Sequence, residues 1–155
     1  MVQLTAHFDT DMFSATQHTS LLAQNRAEAL QPLVLSNLKK LAELSEEVLA
    51  NVFPNGINVH DAYRCQALNT AVQGAATSQH CVGQAVDMMP IGYENDLPMA
   101  LFLLAVWGMH NQPSPKFGQL LIENGCIHYS LPRGHADGEV AFWQPGNKQI
   151  WRPGA

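Results

Sequence analysis

Cysteine is scarce in this 155-residue chain: there are three, an odd number, and no CxxC pair. A disulfide framework is therefore not expected, and three reduced thiols made in a cytoplasm are. Long apolar runs are also missing. The longest, Met99 to Trp107, is far too short to span a bilayer. The opening residues, Met1-Val2-Gln3-Leu4-Thr5-Ala6-His7, hold no basic region followed by an apolar stretch, so no secretory signal is expected. Runs of like charge are absent, and 8 Lys and Arg against 13 Asp and Glu give a formal net charge of −5. Nothing here resembles the basic footprint of a nucleic-acid or anionic-membrane binder, and neither partner is expected. Repeats, linkers and low-complexity tracts do not occur. What remains is an ordinary globular composition, 46% hydrophobic, read as one domain over residues 1–155 and as a monomer.

The hydrophobic pattern assigns most of the chain. Residues 4–20 carry Phe8 and Phe13 in a polar context, which predicts a short helix or an ordered arm. Leu30, Leu33, Val34, Leu38, Leu41, Leu44, Val48 and Leu49 recur at three and four, the mark of an amphipathic helix. Pro32 suits its first turn, and Pro54-Asn55-Gly56 ends it. Ile57 to His60 alternates as a strand, leading into Asp61-Ala62-Tyr63-Arg64. A short helix is expected over Gln66–Gln73, a strand over Gln84–Met89, and a helix from an Asp96 cap to Gly108. Gln119–Glu123 and Cys126–Leu131 flank Asn124-Gly125, the strongest two-residue hairpin signal. Glu139–Trp143 is a candidate last strand. Helices and hairpin strands are segregated, so the fold class is α+β.

One stretch concentrates chemistry: Ser78-Gln79-His80-Cys81-Val82-Gly83-Gln84-Ala85-Val86-Asp87, with His128 on a distant apolar strand. His80, Asp87 and His128 read as three ligands of one zinc ion. Three protein ligands leave the fourth tetrahedral position open for water, which marks a catalytic rather than a structural site. Side chains alternate along a strand, so Cys126, His128 and Ser130 share one face. Glu123, across the turn, then stands where a general base is expected.

The same stretch resembles the SxHxxGxAxD signature of the M15 zinc peptidases, in particular the M15A-like D-Ala-D-Ala carboxypeptidase group. Asp61-Ala62-Tyr63-Arg64 is similar to that family's GYRS segment, and Asn69-Thr70-Ala71-Val72 to its N-x-A-V-G-G stretch. Gln119 to Glu123 and Ile127 to Ser130 resemble its QLI-x-E and W-[IV]-H-[IV]-S strands. Leu4, His7, Phe8 and Phe13 match its N-terminal lead, with Met12 where an acid is usual. The resemblance covers about residues 4–131, with 132–155 as a C-terminal extension of the same domain. It implies the fold shared with hedgehog signalling domains, a small antiparallel sheet with helices packed against it. It implies zinc held by His80, Asp87 and His128, and Glu123 as catalytic acid/base. Arg64 becomes the cation that holds a substrate carboxylate or steadies the polarised carbonyl, a task suited to a guanidinium fork. The implied activity is hydrolysis of peptide bonds in peptidoglycan stem peptides, as a carboxypeptidase or as an endopeptidase. The implied setting is a phage endolysin or virion-associated enzyme acting on the cell wall. His60-Asp61-Ala62 departs from the family's Thr-Ser-Gly, and Cys126 stands where Trp, Thr or Arg is usual.

Each assignment has a plainer counterpart. His80 and Asp87 read alone as a surface loop, His128 as a core histidine, Glu123 as a solvated carboxylate and Arg64 as half of a salt bridge. Cys81 and Cys126 are more often small buried hydrophobes than ligands. His135 is a candidate for lining the cleft, and Trp107, Trp143 and Trp151 read as packing. The rival function is a non-catalytic zinc-binding structural or interaction module, such as a phage tail component. Loss of the acid would favour that rival, and Glu123 is present.

Overall fold

The computed structural model describes residues 1–109, 115–133, 139–144 and 147–151, the last two segments as backbone. His110, His135 and the side chains of Trp143 and Trp151 lie outside the described residues. The chain forms two compact units. One comprises Met1–Glu46 and Val59–Val86, the other Glu47–Asn58 and Asp87–Ala155.

In the first unit the N-terminal arm is ordered. Gln3 bridges to Asp9, and a short helix α1, Thr10–Phe13, is capped by Asp9, whose carboxylate accepts from the Met12 amide. The rings of Phe8 and Phe13 stack with centroids 5.5 Å apart, and both are buried. The isolated aromatics of this segment are thus the core of the arm. Helix α2, Thr19–Glu28, has no counterpart in the hydrophobic pattern. It buries Asn25 rather than an apolar stripe, so periodicity has nothing to register.

Helix α3, Pro32–Asn51, has the expected length, and Pro32 is its first residue. Val34, Leu38, Leu41, Ala42, Leu44, Ser45 and Val48 are buried. Leu30 and Leu33 belong to the expected core stripe but are exposed, at 41% and 68%. Leu30 precedes the helix, and Leu33 sits about 100° round from the buried Val34. Helix α4 is Gln66–Ala71, two residues shorter than expected, and Gln73 adopts a left-handed φ of 58° just beyond it.

The described residues form six strands, β1 Ile57–Asp61, β2 Ala85–Pro90, β3 Gln119–Glu123, β4 Cys126–Ser130, β5 Glu139–Gln144 and β6 Asn147–Trp151. Their sheet order is β1-β2-β4-β3-β5-β6. The β3–β4 pair is antiparallel around Asn124 and Gly125, whose φ values of 52° and 74° are what a primed two-residue turn requires. Two features depart from the expected sheet. Strand β6 is additional, and β3 pairs with β5 in parallel, so the sheet is not wholly antiparallel. Pairing partners are set by tertiary placement, which local alternation does not carry.

The second unit packs helix α5, Leu97–Met109, on β3 and β4. Asp96 caps it, accepting from the Met99 amide. Phe117 stands between Trp107 and Tyr129, with centroids at 5.9 and 5.5 Å, so Trp107 is a packing residue as expected. Helices beside a sheet, not alternating strand by strand, make the fold α+β. None of the described helices is long and apolar enough to cross a membrane. No disulfide links Cys65, Cys81 and Cys126.

Candidate metal and peptidase site

His80 is placed by a turn that its neighbours dictate. Residues Gln79–Val82 form one turn of 3-10 helix. Ser78 caps it, its hydroxyl accepting from the His80 amide at 3.2 Å. Gly83 ends it in the left-handed region with φ 76°. A Cβ at that position would stand 3.1 Å from the Val34 carbonyl oxygen and 3.2 Å from the Leu38 side chain, so glycine is required twice over. The ring of His80 is buried, and its Nδ1 lies 2.6 Å from the Ala62 carbonyl oxygen. A carbonyl only accepts, so Nδ1 carries the proton, and Nε2 of the neutral ring holds the lone pair that a metal needs.

Asp87 and His128 come from strands. Asp87 is half-buried on β2 and His128 is buried on β4. His128 Nδ1 lies 2.7 Å from Asp87 Oδ1. The β3–β4 register pairs Leu121 with His128 and Glu123 with Cys126. Those four residues therefore share one face, and Glu123 stands diagonal to His128. The cluster itself is His80, Asp87 and His128: one ligand atom from each, all within 4.8 Å of one another. Glu123 and Cys126 are outside it.

Two imidazoles and a carboxylate, closely convergent and with both rings buried, fit zinc. Ligands on a tetrahedral zinc stand roughly 3.3 Å apart when each bond is about 2.0 Å. The fit is also chemical, because the His80 tautomer is already the one a metal requires.

Arg64 occupies the next position along the first unit. Its amide donates to the His80 carbonyl at 3.0 Å. Its Nη1 donates to Asp61 Oδ2 at 2.9 Å and its Nη2 to Ser78 Oγ at 3.1 Å, while its buried Nε has no acceptor among the described residues. The guanidinium is thus committed to a protein acid on one arm and to the capping serine on the other. Cys81, directly after His80, is half-buried, and burial pushes its thiol above the ordinary value despite the nearby Arg64 charge. That favours the neutral thiol over a thiolate ligand. Burial likewise raises the Tyr63 hydroxyl to about 12, so it stays protonated.

An α+β domain with a His-Asp-His cluster of this kind is a candidate metallohydrolase. The chain matches the family model described as Peptidase M15 over residues 7–106, about two thirds of its length, and it belongs to that family. The family is one of zinc-dependent peptidases. Arg64, His80 and Asp87 fall inside the matched segment, whereas Glu123 and His128 fall beyond it. Comparison with curated proteins finds no match.

Nothing in the sequence pattern points to Asn25. It lies on α2, fully buried, and its side chain bonds to both neighbours of Arg64. A lone asparagine in a polar helix carries no periodic or motif signal that could single it out.

Proposed function

We propose that this protein is a zinc peptidase that hydrolyses peptide bonds in peptidoglycan stem peptides, as a cell-wall hydrolase of endolysin or virion type. The observation that supports it best is the convergence of the His80, Asp87 and His128 ligand atoms in a chain of the Peptidase M15 family. His80, Asp87 and His128 are the residues that would hold zinc. When bound, zinc would supply Lewis acidity, lowering the pKa of water to about 7 and polarising an amide carbonyl.

The chain's own residues supply the rest. Glu123 removes a proton from the attacking water and returns it to the leaving amine, the usual double duty of a general acid/base. Its place on the His128 face of the hairpin suits that task. Arg64 orients the peptide by engaging a carboxylate or the reacting carbonyl. To do so it shares or exchanges its present bonds to Asp61 and Ser78. Asp87 Oδ1 and His128 Nδ1 face each other at 2.7 Å, and each would bond to the metal in place of the other when zinc is held.

The test is digestion of purified peptidoglycan by the untagged protein, with fragments identified by mass. Release of terminal D-Ala marks a carboxypeptidase; new internal termini mark an endopeptidase. Elemental analysis should give close to one zinc per chain, and His80→Ala should remove it. Stoichiometric zinc with intact peptidoglycan would turn the reading toward a zinc-binding structural module.

A further inference from the structure

Asn25 is 0% exposed and is the buried residue of α2. Its carboxamide is almost fully used. Nδ2 donates to the Ser14 carbonyl at 2.9 Å and to the Tyr63 carbonyl at 3.0 Å, and Oδ1 accepts from the Cys65 amide at 2.7 Å. Two carbonyls and one N–H as partners fix which end of the amide is which. Between the two clamped backbone groups stands Arg64.

The segment from Ala62 to Cys65 is then held along its length. Tyr63 donates its amide to Phe13 at 2.7 Å, and Arg64 donates its own to His80 at 3.0 Å. In return the Ala62 carbonyl accepts from His80 Nδ1 at 2.6 Å. Hydrogen bonds joined by the short backbone from Ala62 to Cys65 thus lead from Asn25 on α2 to the ring of a candidate metal ligand. An apolar side chain would fill the same space. It would leave the Tyr63 and Ser14 carbonyls and the Cys65 amide without these partners.

We propose that Asn25 is a positioning residue for the site. By clamping Tyr63 and Cys65 on either side of Arg64, it sets the Ala62 carbonyl that orients His80 and the direction in which the Arg64 side chain leaves the backbone. The proposal rests on the zinc-peptidase reading, so its test carries a reference for that reading.

Zinc affinity is measured by chelator competition for the wild type, Asn25→Ala and His80→Ala, at a temperature where circular dichroism shows each folded. His80→Ala should lose the metal. Asn25→Ala should keep it but bind about tenfold more weakly, the scale typical of residues that orient a ligand from outside. In protein labelled with nitrogen-15 at histidine, the His80 Nδ1 proton should be sharp and downfield in the wild type, and shifted or lost in Asn25→Ala. A residue that only stabilises the fold would lower the melting temperature and leave both readouts unmoved. Affinity within about twofold of wild type and an unmoved proton, with His80→Ala empty, overturn the role of Asn25 and leave the zinc reading standing. Zinc retained by His80→Ala overturns that reading and this proposal with it. Should Asn25→Ala not fold, amide exchange in the unsubstituted protein decides. The Cys65 amide, held by Asn25, and the Arg64 amide, held by the His80 carbonyl, should open together if the clamp couples them, with protection agreeing within roughly threefold; independent opening overturns the clamp.

Discussion

The turn from Ser78 to Gly83 and the hairpin β3–β4 each present one buried histidine, and they hold it by different physics. His80 is fixed by residues close in sequence, a serine cap before it and a left-handed glycine after it, and its ring leans on a backbone carbonyl. His128 is fixed by sheet register, and its ring faces a carboxylate 41 residues away. A carbonyl partner is neutral, so the His80 tautomer is held without charge. A carboxylate partner is ionic. The turn is therefore a local, covalently near device, and the hairpin depends on the sheet around it. Substitutions in the two regions should fail in different ways.

The largest effect is expected at the hairpin. Glu123→Gln keeps the shape of the strand end and removes proton transfer. Hydrolysis should fall by about two to four orders of magnitude, the scale of general acid–base groups, while zinc content stays at the wild-type level. Single-turnover rates with elemental analysis check both. Unchanged hydrolysis would return Glu123 to a solvated carboxylate and reopen the search for the base.

Beside the turn, Arg64 separates substrate binding from structure. Arg64→Lys keeps the charge but cannot span both Asp61 and Ser78 as the fork does. We expect kcat/KM to fall about tenfold or more, through loss of a bidentate contact worth roughly 1.5–3 kcal/mol. Asp61→Asn is the control. If Arg64 serves only its ion pair, the two variants should lose stability alike and spare kcat/KM alike. If Arg64 meets the substrate, Arg64→Lys alone should depress kcat/KM.

Two glycines sharpen the comparison further. Gly83 and Gly125 both have left-handed φ, 76° and 74°. A Cβ added at Gly125 would meet nothing within 4 Å, whereas at Gly83 the Val34 carbonyl and Leu38 stand at 3.1 and 3.2 Å. Gly125→Ala should cost about 1 kcal/mol, the conformational penalty alone. Gly83→Ala should cost about 2–3 kcal/mol, because overpacking adds to the same penalty. Urea midpoints measure both. Equal costs would mean that the turn relaxes around a methyl group, and that its rigidity is not what places His80.

How legible these parts are in the sequence follows from the same division. Ser78 to Asp87 can be read because its determinants are contiguous. Helix α3 is legible from its buried stripe, though Leu33 shows that spacing alone does not say where a stripe ends. The hairpin is legible because Asn124-Gly125 fixes its own turn. Helix α2 is not, since it docks through one asparagine. Nor is the parallel pairing of β3 with β5, which no short window of sequence encodes. Arg64 shows the limit within the site. Its type and place are evident, but its ion pair with Asp61 depends on where the side chains lie.

The smallest effect tests the arm that precedes both regions. His7 places its amide and its Nδ1 on the Glu46 carboxylate, at 2.7 and 2.8 Å. Burial alone would raise the Glu46 pKa, but the bonds from the His7 side chain, Thr5 and the His7 backbone outweigh it and bring it below its ordinary value. A carboxylate whose folded pKa is depressed adds stability above its unfolded pKa of about 4.3. That stability is lost as pH falls through the lower folded value. Glu46→Gln should therefore lower stability by about 0.2–1 kcal/mol near neutral pH, the scale of pairs with an exposed partner such as His7. The difference from wild type should shrink on acidification below the ordinary carboxylate range. A difference that persists in acid would show that Glu46 stabilises the arm through its neutral hydrogen bonds, which glutamine keeps only in part.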